Sequence, residues 1–277
     1  MDILRIENIK KGFGQHKVLQ GISFVVPEGS VFGFIGGNGA GKTTTMKMVL
    51  GLLQPDSGDI YVCGEKVVYG RTKTNRYIGY LPDVPEYYNW MRPKEYLQLC
   101  GEITGMSQKI TRLRSEELLK LVGLSKMNHK IGGFSRGMKQ RLGMAQALLN
   151  EPKLLICDEP TSALDPVGRK EILDILQKIK GKTTVIFSTH ILSDVERVCD
   201  SAAFLHKGKI VLSGSLQKLR TLHSASDATI DFASKTDKEK FMSLPEISTL
   251  FHISAQTETS ATFSKGDIES LYMEVVS

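Results

Sequence analysis

The sequence predicts an α/β protein in which short buried strands alternate with helices. Three observations support this fold class. An apolar run at residues 31–35 stops at a glycine-rich loop that leads into a polar helix. Two later apolar runs, at 153–157 and 183–188, end in a pair of carboxylates and near a histidine. Helical spacing of apolar residues between the runs favours helices packed on a common sheet.

Length and composition restrict the possible classes of protein. The 277 residues allow one large domain, or one domain with a small appendage. The net charge of +6 is compatible with nucleic acid, an anionic membrane surface or a nucleotide as partner. The basic residues are scattered, which favours a solvated surface, and no specific nucleic acid is expected. No apolar run approaches the roughly 18 residues of a membrane span, so work at a membrane would need another chain to cross it.

Four cysteines lie far apart, at positions 63, 100, 157 and 199. They show none of the paired spacings that are typical of zinc sites or disulfide frameworks. We therefore expect a reducing, cytoplasmic location.

The first predicted strands are residues 3–9 and 22–26, with a loop between them that holds Phe13. An aromatic side chain beside a phosphate-binding loop can stack on a purine ring. It can equally belong to the core, and the residues alone leave both interpretations open.

Residues 36–43 read G-G-N-G-A-G-K-T, which fits the phosphate-loop pattern at Gly36, Gly41, Lys42 and Thr43. We expect the glycines to allow positive φ, so that N–H groups surround a phosphate at a helix N-terminus. Lys42 is suited to the β- and γ-phosphates, and the Thr43 hydroxyl to Mg²⁺. The stretch therefore predicts a site for a nucleoside triphosphate.

The middle of the chain predicts a run of helices. A proline- and aromatic-rich segment around Trp90 is typical of either a protein contact or a packed loop. Residues 110–122 predict a helix with Leu113 and Leu118 facing inward. Other predicted elements are helices at 43–51 and 93–101 and strands at 59–63, 66–69 and 77–81.

Ser135 predicts the start of a helix that Pro152 ends. The preceding sequence, G-G-F-S-R-G-M, places Ser135 and the N–H of Gly137 at an exposed helix N-terminus. Such a terminus favours anions.

Asp158 and Glu159 follow a buried strand, where two carboxylates are unfavourable unless a cation meets them. Asp158 is suited to hold Mg²⁺ through water, and Glu159 to polarise an attacking water. A solvated acidic turn is the alternative, which the preceding apolar residues disfavour. Asp165 predicts the cap of a helix at 166–180. His190, at the end of the next strand, is either structural or a γ-phosphate contact.

These motifs, in this order, resemble the ATP-binding cassette (ABC) family over residues 1 to about 215. The resemblance implies a phosphate-loop ATPase core with an antiparallel β subdomain and a helical subdomain at about 84–150, with ATP and Mg²⁺ as cofactors. It implies three groups of site residues. The catalytic residues are Glu159, His190 and Lys42; the metal residues are Thr43, Asp158 and Asp83; the nucleotide contacts are Phe13, Gly36, Gly37, Asn38, Gly39, Ala40, Gly41, Lys42, Thr43, Thr44, Ser135, Arg136, Gly137 and Asp165.

The sequence departs from the family pattern at two sites. Arg136 and Met138 replace a glycine and the glutamine of the usual L-S-G-G-Q signature. Arg136 adds a cation near phosphate. Asp83 stands where the Q-loop glutamine is usual, and it is either a Mg²⁺ or water ligand or a charged contact.

Residues 216–277 carry no phosphate motif and predict a small α+β domain, ferredoxin-like in its order of elements. The Arg136 variant and this extension resemble an export-type subgroup. The predicted elements are strands at 228–233, 247–254 and 260–264 and helices at 236–243 and 267–276.

The resemblance implies the ATPase subunit of a transporter. No residue of this chain would contact the transported cargo. Each ATP would lie between the phosphate loop of one subunit and the Ser135 helix of a second copy or a homologous subunit, placed head to tail. A separate transmembrane permease subunit would hold the pair at the inner face of the cell membrane.

The sequence is also compatible with other functions. A soluble ABC ATPase acting on nucleic acid or ribosomes is one, although no second cassette, long coiled coil or zinc insertion is present. A nucleotide-gated module with decayed catalysis is another. A GTPase is disfavoured because the chain has no N-K-x-D motif.

Overall fold

The computed structural model describes residues 2–71, 73–219, 228–243 and 252–264. The chain divides into two compact units, Met1–Ser213 and Gly214–Ser277. The first unit carries all the predicted nucleotide motifs. In the part of the chain that the structure describes, no helix is long and apolar enough to cross a membrane.

A six-stranded sheet forms the centre of the first unit. Its strands are β3 (Val31–Ile35), β6 (Ile78–Leu81), β7 (Leu154–Asp158), β8 (Thr184–Thr189), β9 (Ser201–His206) and β10 (Lys209–Ser215), in the spatial order β10-β9-β3-β8-β7-β6. The β9-β3-β8-β7-β6 pairings are parallel. Every residue of β3, β7 and β8 is buried, as expected for strands covered on both faces.

A second, antiparallel sheet has the order β2-β1-β4-β5, with β1 (Asp2–Phe13), β2 (His16–Pro27), β4 (Ser57–Val62) and β5 (Glu65–Lys66). Its apolar face packs towards the central sheet, and the ring of Phe24 stacks on Phe32 and Phe34 at 5.5 and 5.1 Å. The loop predicted between the strands at 3–9 and 22–26 is wrong, because β1 and β2 continue through this stretch as a hairpin. The strand predicted at 66–69 is also wrong beyond Lys66.

The described residues of the first unit form six α-helices. They are α1 (Lys42–Val49), α2 (Pro93–Ile103), α3 (Gln108–Leu121), α4 (Arg136–Ala147), α5 (Pro166–Ile179) and α6 (Leu192–Val198), with 3₁₀ turns at Lys73–Tyr77 and Ile131–Gly133. Helices α2, α3 and α4 pack on one another, within the predicted helical region. Leu118 is buried in α3, but Leu113 is 59% exposed, so its predicted inward orientation is wrong.

The parallel register brings the ends of four strands to one edge of the sheet. Ile35 pairs with Thr189, Asp158 with Ser188, and Leu81 with Cys157. The loops that follow β3, β8, β7 and β6 therefore meet at this edge, where α/β proteins bind ligands.

In the second unit the structure describes β11 (Ala228–Asp231), α7 (Lys235–Met242), β12 (His252–Gln256) and β13 (Ser260–Ser264). The strands form an antiparallel sheet in the order β11-β13-β12. These positions agree with the strands and helix predicted at 228–233, 236–243 and 260–264. The predicted helix at 267–276 and the first part of the strand at 247–254 lie outside the described residues.

Candidate functional site

The phosphate loop joins β3 to α1, and its glycines meet different demands. Gly41 caps α1 with φ 111°, and a Cβ there would lie 2.7 Å from the Leu19 side chain. Gly36 has no positive φ, but a Cβ would lie 2.6 Å from the Leu205 carbonyl oxygen. The expectation of positive φ is thus wrong for Gly36 and Gly37. Close approach to the Leu205 carbonyl explains the glycine at position 36.

The outer side of the loop is open. A Cβ at Gly37 or Gly39 would meet nothing within 4 Å. Exposed backbone N–H groups at a helix N-terminus suit a phosphate, so this cradle fits the predicted ATP. Gly37, Asn38, Gly39 and Thr43 are exposed, and Ala40 and Thr44 are half-buried.

Lys42 is buried, with 6% of its side chain exposed. Its Nζ donates to the carbonyl oxygens of Gly36 and Gly37 at 2.6 and 3.1 Å, and lies 2.9 Å from Glu159 Oε1. Two carbonyl hydrogen bonds and the ion pair with Glu159 compensate the buried ammonium. An incoming phosphate must therefore draw Lys42 away from the Glu159 carboxylate.

Glu159 lies between the other two predicted catalytic residues. Its Oε2 is 3.0 Å from His190 Nδ1, while its Oε1 faces Lys42. The residue has φ 48°, a left-handed conformation that is uncommon outside glycine and often marks functional sites. The structure thus brings Lys42, Glu159 and His190 together.

Ser188, at the end of β8, fixes both carboxylate residues. Its hydroxyl donates to Asp158 Oδ1 at 2.6 Å and accepts from the Glu159 N–H at 2.9 Å. Asp158 is 2% exposed, so this hydrogen bond satisfies a buried charge. Sequence reasoning missed Ser188, whose only signal is a polar residue that directly follows the apolar run of β8.

A metal ion at this site would need ligands beyond the protein. Among the described residues, no group of three or more His, Cys, Asp or Glu side chains could hold a metal ion. Mg²⁺ in such sites uses one or two protein oxygens together with substrate phosphates and waters. The hydroxyl of Thr43 and the carboxylate of Asp158 are chemically suited to that role.

Asp83 faces other groups. Its Oδ1 accepts from the Ser162 hydroxyl at 3.1 Å and lies 3.6 Å from Arg136 Nη2. Burial, aided by the charges of Asp158, Cys157 and Asp83, raises the pKa of Tyr80 to about 12, so Tyr80 stays protonated beside these carboxylates.

The Ser135 helix presents its first residues to solvent. The Ser135 hydroxyl accepts from the Met138 N–H at 3.2 Å, as the predicted cap should. Ser135 and Arg136 are exposed, and Gly137 is half-buried. Asp165 caps α5 by accepting from the Gly168 N–H at 3.2 Å, and its role as a nucleotide contact stays a prediction.

Phe13 lies at the tip of the β1-β2 hairpin. Its side chain is 52% exposed, and Lys11 Nζ lies 5.4 Å from the ring centroid. The ring is therefore outside the core and free to stack on a base.

A buried network supports the loop after Glu159. Asp194, 1% exposed in α6, accepts from the Thr161 hydroxyl at 2.7 Å and from Arg169 Nε at 2.6 Å. The network ties the loop before α5 to the helix that follows His190. Sequence reasoning missed it.

We predict that Asp194→Ala lowers the free energy of unfolding by about 1–3 kcal/mol, because the buried Thr161 hydroxyl loses its acceptor. Urea denaturation of the full chain measures this change. Asp174→Asn is a matched control, since Asp174 and its partner Arg197 are both 38% exposed. An equal effect of the two substitutions would show that the Asp194 network does not support the fold.

Comparisons with known proteins agree with this site. A model of the ABC transporter family matches residues 19–162. The uncharacterized ABC transporter ATP-binding protein YxlF of Bacillus subtilis (strain 168) is 44% identical over 236 residues, covering 85% of this chain and 78% of that protein. The bacitracin transport ATP-binding protein BcrA of Bacillus licheniformis is 39% identical over 212 residues, covering 76% and 68%.

A solved structure described as the ATP binding subunit of an ABC transporter matches with a TM-score of 0.71 at 34% identity. The match covers 79% of this chain and 92% of that one.

The sheet, the phosphate loop and the carboxylates at the strand ends define a phosphate-loop nucleoside triphosphatase. The chain belongs to the ABC transporter family, as an ATP-binding subunit with ATPase activity that works with transmembrane components. The predicted fold class and activity are confirmed. The alternative of a soluble ATPase acting on nucleic acid or ribosomes is not favoured.

Proposed function

We propose that this chain powers export through a separate transmembrane subunit, as one half of a head-to-tail pair of ATPase subunits at the inner face of the cell membrane. The observation that carries this proposal is an aromatic groove beside α2. Export is supported by the bacitracin transport of BcrA and by the export-type subgroup that the Arg136 signature and the C-terminal extension resemble.

The groove has a volume of about 480 Å³. Its residues are Glu86, Tyr87, Tyr88, Tyr96, Leu99, Cys100, Ile103, Thr104 and Gln146. Tyr87 and Tyr96 form a fixed floor: their rings pack edge to face at 5.0 Å, and their hydroxyls donate to the Lys139 carbonyl and to Gln146 Oε1.

Exposed apolar side chains lie among the residues at the rim of the groove. Ile103 is 74% exposed, and Tyr88 is 55% exposed with its ring 5.9 Å from Trp90. Rigid exposed aromatics beside a preformed apolar groove are typical of protein-binding sites. We assign the groove to a helix of the transmembrane subunit.

The head-to-tail arrangement rests on the strand order. The loop after β6 contacts Arg136, whereas the phosphate loop follows β3, and β8 and β7 separate these two strands. At roughly 4.8 Å per strand, the two loops start about 14 Å apart. The exposed anion site at Ser135 would therefore serve the nucleotide of another subunit.

The residues of one subunit would divide the catalytic work. Glu159 accepts a proton from the attacking water, and Lys42 and His190 stabilise the charge that develops on the γ-phosphate. Ser135, Arg136 and Gly137 act on the γ-phosphate of the partner's ATP, and Phe13 stacks on the adenine. Mg²⁺, held by Thr43 and Asp158, would neutralise phosphate charge when bound.

We predict that Ile103→Glu reduces recovery of the transmembrane subunit by about tenfold or more, because an unpaired charge would be buried at the interface. The tagged full chain is purified from its own cells after mild detergent extraction, and its companions are quantified by mass spectrometry. The wild-type chain should bring a polytopic membrane protein at about equal stoichiometry.

Leu52→Glu is the matched control, because Leu52 is 63% exposed and lies outside the groove. It should leave recovery unchanged. Equal recovery with Ile103→Glu would remove the groove from the interface. Salt-sensitive recovery of ribosomes or nucleic acid in place of a membrane protein would overturn the proposed transporter role.

A further inference from the structure

The two departures from the family pattern, Asp83 and Arg136, lie in contact. Asp83 Oδ1 is 3.6 Å from Arg136 Nη2, and the same oxygen accepts from the Ser162 hydroxyl at 3.1 Å. One carboxylate thus joins the loop after β6, the loop after β7 and the first residue of α4.

Arg136 needs an anion at its position. It is the first residue of α4, where the positive end of the helix dipole disfavours a cation. The Ser135 hydroxyl already caps the helix, so Arg136 is not required as a cap. In the isolated subunit Asp83 supplies the compensating charge.

The ion pair between Arg136 and Asp83 is weak enough for Arg136 to leave Asp83 for another anion. The Arg136 and Asp83 side chains are 49% and 45% exposed, and ion pairs of this kind contribute little and are screened by salt. A terminal phosphate carries more charge than one carboxylate and offers the paired oxygens that a guanidinium binds best.

We propose that Asp83 is a positioning residue, which holds Arg136 in the free subunit and yields it to the γ-phosphate of the ATP bound by the partner subunit. The proposal rests on the head-to-tail arrangement of the proposed function. Asp83 then acts on Arg136 and is not a Mg²⁺ ligand. The Asp83 carboxylate competes with the partner's nucleotide for Arg136. It therefore raises the ATP concentration that two subunits need in order to dimerise.

The test measures nucleotide-driven dimerisation of the full chain by sedimentation velocity, with ATPγS as the probe so that the result does not depend on hydrolysis. Asp83→Asn keeps the acceptor for Ser162 but removes the charge. It should lower the ATPγS concentration at half-maximal dimerisation about two- to fivefold at low salt. The difference should shrink at about 0.5 M salt, and Asp83→Glu should restore the wild-type requirement.

The decisive comparison repeats the substitution in an Arg136→Gly chain, which carries the residue usual in the family. There Asp83→Asn should have no further effect. Asp174→Asn, which breaks the similarly exposed pair with Arg197, should leave the ATPγS requirement unchanged in either chain.

The possible outcomes distinguish the positioning role of Asp83 from the head-to-tail arrangement on which it rests. If the subunits dimerise with ATPγS but Asp83→Asn acts equally with and without Arg136, the charge acts only at long range and the positioning role is overturned. If no variant dimerises with ATPγS, the head-to-tail arrangement itself fails, and this proposal fails with it.

Discussion

Glu159→Gln should lower the turnover of ATP by about 10²- to 10⁴-fold, because a neutral amide cannot accept a proton from the attacking water. The substitution keeps the shape of the side chain between Lys42 and His190. ATP binding should persist, and it should be equal or tighter, since Lys42 no longer has to leave a carboxylate. Phosphate release at saturating ATP and titration with a fluorescent ATP analogue measure the two properties separately.

Glu151→Gln is the matched control. Glu151 precedes β7 as Glu159 follows it, it also has a left-handed φ, of 50°, and it is exposed at the opposite end of the strand. Its substitution should change neither turnover nor affinity. Near-wild-type turnover of Glu159→Gln would remove Glu159 from the role of general base, and loss of ATP binding would mean that its carboxylate supports the loop.

The sequence predicted the site because most of its residues occupy positions that local patterns define. The phosphate loop, Asp158, Glu159 and His190 each follow an apolar run that reads as a buried strand. In a parallel sheet the ends of such strands meet at one edge, so the position of each residue in its strand predicts its neighbours.

Contacts between distant loops could not be predicted in this way. Asp83, Ser162 and Arg136 lie in three segments whose distance in space depends on the packing of α4. The bonds of Asp194 to Thr161 and Arg169 are similar, since an acidic residue in an amphipathic helix reads as solvent-exposed.

The β1-β2 hairpin shows a second kind of feature that sequence patterns do not predict. Its tip contains lysines, glutamine and histidine without apolar alternation, which reads as a loop. Phe13 nevertheless pairs with His16, and Lys10 with Gln20, because backbone hydrogen bonding continues a hairpin beyond the part that covers the core. The hairpin projects Phe13 into solvent.

Lys42→Ala should weaken ATP binding by about 10- to 100-fold, the range for lost hydrogen bonds to charged groups. The structure indicates a second cause for the loss of ATP affinity. Without Lys42, the Glu159 carboxylate, only 13% exposed, loses its countercharge and repels an incoming phosphate. Nucleotide titration measures the affinity, and Lys47→Ala, which removes an exposed lysine from the same helix, should leave it unchanged.

The double variant Lys42→Ala with Glu159→Gln separates these two causes. If part of the loss comes from the uncompensated carboxylate, the double variant should bind ATP more tightly than Lys42→Ala alone, because it no longer carries a buried charge without a partner. Equal affinity of the two would mean that Lys42 acts on the phosphates alone. Wild-type affinity of Lys42→Ala would contradict the phosphate-loop assignment itself, because a buried ammonium that left binding unchanged could not be the group that meets the nucleotide.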